Sequence, residues 1–250
     1  MDFLDEEKLM DACMIAGKIL MENGAEMHRV EDTMNRILDV KHGDKEAMSF
    51  VIPTGIFVTT RYGRTTKMKR IVKRRQNLEM IVEVNSLSRQ FSAQELTVDE
   101  LYDALTELEK NEVDFPYWLK IVSSGLISGF MMLLFEGSFQ DNGITMVIGA
   151  LGYSFYSYLA RVMKARFIQE FVATFLMALL ANGLNQLGLV TNADTVIIGS
   201  IIILVPGIQI MNSIRDFLAG NTISGTVFMM EAMVIAGMIG AGVMSALKIF

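Results

Sequence analysis

Apolar and polar positions alternate in three rhythms along the chain. Over residues 5–41, Leu9, Cys13, Ala16 and Leu20, then Met27, Val30, Met34 and Ile37, recur at steps of three and four. That spacing predicts two helices broken at Asn23-Gly24. From Ala47 the rhythm shortens to runs rich in Val, Ile, Phe and Thr at 47–52, 55–61 and 66–72, punctuated by Pro53 and Tyr62-Gly63, which predict three strands. Helical spacing returns over Asn77–Phe91, and Thr97-Val98-Asp99-Glu100 has the form of a capping box opening a helix toward Asn111. Past residue 118 the polar face disappears. Apolar segments at 119–135, 143–160, 168–190, 195–213 and 226–247 each approach the length that crosses a hydrocarbon core. The predicted fold is an α-helical integral membrane protein of about five transmembrane helices behind an amino-terminal α+β domain, with domains at 1–116 and 117–250.

Charge sharpens this division. The whole chain carries 22 Lys/Arg and 28 Asp/Glu, of which residues 119–250 hold only six and six. Basic residues between the second and third spans, Arg161, Lys164 and Arg166, place that loop inside, while the connections at 136–142 and 191–194 lack Lys and Arg. The amino-terminal domain is then cytoplasmic. The opening Met1-Asp2-Phe3-Leu4-Asp5 has no basic and apolar leader pattern, in agreement with that orientation. One cysteine, Cys13, allows no internal disulfide, and His28 and His42 make no metal-ligand spacing, so neither metal nor cofactor is expected. A net charge of −6 gives no reason to invoke nucleic acid. The basic run from Arg61 to Arg75 reads either as a solvated strand edge or as a surface for anionic lipid or a polyanion.

Polar residues at membrane depth point to function, because lipid does not solvate them. Glu231 lies among Met229, Met230, Met233 and Val234 and is the candidate proton carrier; pairing with a cation such as Arg215 is the structural alternative. Asn182, Asn185 and Gln186 share a face of the third span, where they line a polar path or bond between helices. Pro206-Gly207 removes a backbone donor inside the fourth span and predicts a break or a kink. Asn212 and Asp216 follow one turn apart, with Arg215 beside them, offering an amide, a carboxylate and a cation to a polar ligand; an interfacial Arg215/Asp216 pair is the simpler reading. Gly125/Gly129 and the small residues around Gly237, Gly240 and Gly242 allow close helix packing, or a backbone-lined cavity.

With these residues on the page, the chain resembles the bacterial threonine/serine exporter family over almost its whole length. The likeness rests on Leu20–Glu31 (LMENGAEMHRVE), Phe50–Val58, Asn77-Leu78 with Val84–Arg89, and Pro206-Gly207, Asn212, Arg215-Asp216 and Gly220–Gly225. The resemblance implies a multi-pass protein of the bacterial inner membrane that exports a small polar metabolite, driven by the proton gradient. Full-length members are similar to this chain followed by a second membrane block. The resemblance therefore extends to the shorter subunits of a two-component branch linked to succinate export, and implies a second small membrane subunit or a homo-oligomer. The expected mechanism is alternating access around Pro206-Gly207, with Asn212, Arg215 and Asp216 toward the cytoplasm, Glu231 carrying protons and Glu136 and Asp141 near an outer gate. A membrane-anchored regulatory or scaffold protein is the alternative. An enzyme is not expected, since no Ser/His/Asp set, H-E-x-x-H or glycine-rich phosphate loop is present.

Overall fold

The structure, a computed structural model, describes all residues except 1–2, 43–46, 61–65, 73–74, 112–113 and 164–166. It divides into two compact units, one formed by residues 1–114 with 211–229 and the other by 115–210 with 230–250.

In the first unit, α1 (Phe3–Glu22) and α2 (Met27–His42) meet at the expected Asn23-Gly24 break. Gly24 has φ +88°, a left-handed conformation that an L side chain resists, and Ala25 N–H closes the helix end on the Leu20 carbonyl at 3.0 Å. Strands β1 (Ala47–Ile52), β2 (Gly55–Thr60) and β3 (Thr66–Arg70) form an antiparallel meander in the order β1-β2-β3. Each strand is within two residues of the sequence expectation, whose Arg61 lies outside the described residues. One face of the sheet buries Val51, Ile56 and Val58 against the helices, in a core with Leu9, Leu20, Met34 and Ile37. Burial of each such side chain stabilises by roughly 1.5–3 kcal/mol before conformational entropy is charged against it. Two side chains of α2 protect the free edge of β1, where Glu31 Oε1 accepts from Val51 N–H at 3.0 Å and Asn35 Oδ1 from Ser49 N–H at 3.1 Å. Helices α3 (Leu78–Ser92) and α4 (Val98–Lys110) complete the layer. Asn77 caps α3, and the Thr97/Glu100 capping box opens α4 as predicted.

The second unit holds α5 (Tyr117–Leu134), α6 (Phe139–Val162), α7 (Ile168–Gln186), α8 (Ala193–Ile201) with a 3-10 turn at Ile202–Leu204, and the first residues of α9 (Gly207–Leu218). It also holds the greater part of α10 (Thr222–Leu247). Helices α5, α6, α7 and α10 are long and apolar enough to cross a membrane. The expected fourth span is interrupted: α8 with its 3-10 turn meets α9 at a 57° bend. Counting that pair as one gives five candidate spans among the described residues. The unit turns apolar surface outward, since Phe130, Leu134, Val147 and Leu151 are exposed and only 17% of the most apolar stretch of α10 is buried within the chain. Close helix contact is built at glycines: a Cβ on Gly125 would lie 2.8 Å from the Met146 carbonyl, and one on Gly242 2.5 Å from the Phe171 carbonyl. Gly237 and Gly240, on the same helix as Gly242, face open space.

Candidate functional site

The residues singled out after the Pro206-Gly207 break belong to the same unit as the amino-terminal motif. Helix α9 runs on past residue 213 to Leu218 and turns at Gly220, φ +86°, where Asn221 N–H bonds the Asp216 carbonyl at 2.8 Å. The chain then reverses into α10. Ser213 Oγ donates to the Gly225 carbonyl at 2.6 Å, and Gly225 leaves room for the Phe217 ring, 2.9 Å from where a Cβ would stand. Phe228 packs against the hydrophobic core of the first unit. Segment 211–229 is therefore an integral part of the first unit, a placement that the apolar rhythm did not reveal.

This hairpin grips the α1–α2 turn through side chains one helical turn apart. Asn212 Nδ2 donates to the Gly24 carbonyl at 3.0 Å. Arg215 pairs with Glu26. Asp216, with its side chain fully buried, accepts from the Met27 N–H at 3.2 Å. Met27 is the first residue of α2, so Asp216 supplies from a distant helix the carboxylate that normally comes from a local N-cap residue. The positive end of α2 in turn stabilises that buried anion. His28 Nδ1 is 3.8 Å from Asp216 Oδ1, and its Nε2 is 3.5 Å from Glu26. Two carboxylates, a guanidinium and an imidazole thus converge on one helix start.

The cluster is not fully satisfied. Asp216 Oδ2 and His28 Nδ1 are buried without a hydrogen-bond partner. An orphaned buried polar atom costs about 1–3 kcal/mol, so the arrangement gains from a proton, a cation or a change of packing at this point. The other acids on α2 do different work. Glu31 holds β1 and Asp32 pairs with Arg36, so His28, Glu31 and Asp32 form no common cluster.

The remaining candidates lie in the second unit. Pro206 is buried at the break and Gly207 is exposed with open space at its Cβ position, so size does not require a glycine there. Glu231 is half-buried on α10. Glu136 occupies a left-handed turn, φ 62°, after α5. Asp141, almost fully buried, accepts from Thr191 N–H at 2.9 Å, Thr191 Oγ1 at 2.6 Å and Asn192 N–H at 3.1 Å, and so fastens the start of α6 to the turn before α8. The Asn182 amide donates to the Ala178 carbonyl of its own helix and Asn185 to Val190 just beyond it, while Gln186 is exposed.

Two groups escaped the sequence reading. Glu26 sits in a turn, outside any periodic pattern. Glu170, in the first turn of α7, is 6% exposed, and its Oε1 lies 3.4 Å from the Tyr156 hydroxyl. An isolated acid inside an apolar stretch was the available signal for Glu170. Among the described residues no group of three or more His, Cys, Asp or Glu could hold a metal ion.

Comparison with known proteins places this geometry in context. The profile of the threonine/serine exporter family matches residues 11–250. A threonine/serine exporter of Corynebacterium glutamicum is 23% identical over 67% of this chain and 35% of its own length. Pheromone-regulated membrane protein 10 is 24% identical in Pichia sorbitophila, over all of this chain and 25% of that protein. In Candida albicans strain SC5314 it is 25% identical over 97% of this chain and 22% of that protein. The chain thus spans about a quarter to a third of the curated relatives it matches. No solved structure matches.

Proposed function

From the premise that this chain belongs to the threonine/serine exporter family, we propose that it forms part of a secondary transporter. In this reading it exports a small polar metabolite, threonine or serine or a C4 dicarboxylate such as succinate, across the bacterial inner membrane with its amino terminus in the cytoplasm. The family match carries the exporter reading, and the interrupted helix at Pro206 supports seating the solute there, because broken helices free backbone groups for polar solutes. Asn212, Arg215 and Asp216 are read as a latch that joins α9 to the α1–α2 turn and gates the cytoplasmic side. Glu231 remains the proposed proton carrier, and Asp141 with Glu136 the proposed outer-side elements.

A second membrane subunit or a second copy is proposed to complete the pathway. Its support is the unused seam on α10, where Ala236, Gly237, Gly240 and Ala241 are all exposed and a neighbouring helix can approach closely. The alternative is a membrane-anchored regulatory or scaffold protein; the fungal relatives' names state a membrane location and no cargo.

The test is efflux of labelled threonine, serine and succinate from proteoliposomes under an imposed proton gradient, with and without a candidate membrane partner. Flux of one solute that collapses with the gradient supports the exporter and names its cargo. Folded protein that moves none of the three with the partner present favours the regulatory reading. Glu231→Gln is expected to abolish gradient-driven flux while leaving insertion intact; undiminished coupling removes Glu231 from the mechanism.

A further inference from the structure

The outer face of the three-stranded sheet has no role in the export reading. Residues 47–76 contain eight Lys/Arg and no Asp/Glu, within a chain whose net charge is −6. The strands alternate in the usual way, with Val51, Ile56 and Val58 inward. Their outward side chains, however, are largely apolar. Phe50, Phe57 and Met68 stand opposite one another in register across all three strands, with the Phe50 and Phe57 rings 6.2 Å apart. Met48, Phe50 and Met68 are 66%, 57% and 67% exposed, and Val72, just past β3, is 75% exposed. Arg70 shares the exposed side, whereas Lys67 and Lys69 are ion-paired with Asp11 and Glu109. Arg61, Arg64, Lys73 and Arg74, which flank β2 and β3 in the sequence, lie outside the described residues.

We infer that this face docks on an anionic bilayer leaflet, with Met48, Phe50, Phe57 and Met68 at the headgroup boundary and Arg70 on a lipid phosphate. An apolar face that carries an exposed arginine, in a segment rich in Lys and Arg and without an acid, is the chemistry of an interfacial surface. A polyanion would use the cations and leave two phenylalanines and two methionines in contact with water, an uncompensated apolar exposure. A second copy of the face would set the same cations against themselves. The bilayer takes both halves of the surface at once.

The test uses the full chain in nanodiscs, with a nitroxide at Met48→Cys. Position 48 is exposed, and the native Cys13 is fully buried, which directs the label to the introduced site. In discs rich in anionic lipid, the label is expected to become accessible to a lipid-borne relaxant and protected from a water-soluble one. High salt or neutral lipid should reverse this, and a label at the exposed Glu107→Cys on α4 should stay in water throughout. Arg70→Gln is expected to weaken the lipid-facing signal roughly fivefold, the weight of one basic side chain at an anionic surface. A position 48 that stays water-accessible in anionic discs overturns the inference. So does protection from both relaxants accompanied by spin–spin broadening, which identifies a second copy as the cover.

Discussion

Asp216 is the residue on which most converges, because one carboxylate ends up buried, caps a helix from 189 positions away and lies beside a histidine. Its replacement separates two contributions. Asp216→Ala removes the acceptor of the Met27 N–H and should cost about 1–2 kcal/mol, the usual weight of an N-cap. Asp216→Asn keeps an oxygen acceptor, so it should retain most of that stability while discarding the charge. Thermal unfolding of both variants in detergent, beside efflux from liposomes, reads the difference. Stable Asp216→Asn with lost export assigns the charge to gating; equal loss of stability in the two variants reduces Asp216 to a packing element. Glu109 supplies a complementary pH test. Partial burial pushes its carboxyl up, but the Lys18 ammonium at 2.6 Å and Lys69 at 3.8 Å outweigh that effect and hold it below its ordinary value. A depressed folded-state value contributes stability above the unfolded-state value, and that contribution is lost as pH falls through the folded one. Glu109 is only partly buried and solvent screens its ion pairs, so the contribution is small. Glu109→Gln should therefore lower stability slightly in the neutral region, where the contribution is present, and so flatten the acid limb of the unfolding profile.

Among the elements, local chemistry was legible and distant partnership was not. The α1–α2 break, the capping box of α4 and the interruption at Pro206 follow from glycine, Thr97/Glu100 and proline acting on their own neighbours. Helix α6 begins at Phe139, earlier than its apolar run, because Ser138 caps it by accepting from Gln140 N–H. Helix α9 continues past its apolar stretch because Asp216 and Ser213 face a protein interior, and a hydropathy rhythm tuned to lipid treats both as the end of a span. The same limit applies to the glycines of α10, which look alike in the sequence. Gly242 abuts the Phe171 carbonyl and Gly240 abuts nothing. Gly242→Ala should therefore destabilise by about 1–3 kcal/mol through forced separation of α7 and α10. Gly240→Ala should leave the isolated chain unaffected and, if the seam serves a partner helix, weaken association measured by crosslinking.

For the whole molecule, the division into units does not follow the order of the chain. The first unit takes its last 19 residues from 211–229, after 96 residues, 115–210, that belong to the second. A fragment ending at residue 114 therefore lacks Asn212, Arg215, Asp216 and Phe228. Its loss of stability should appear as faster alkylation of Cys13, a thiol that burial pushes up and that the intact fold encloses completely. An alkylation rate equal to that of the intact chain would mean that the hairpin adds nothing to the core. During synthesis the same connectivity imposes a schedule. The start of α2 leaves the ribosome long before its cap exists, and it waits in an open-ended state until α5 through α9 have been made. Completion of the charged domain thus reports that the intervening apolar helices have already been laid down, so a chain that stalls within them is left with an unfinished surface that quality-control proteases can recognise.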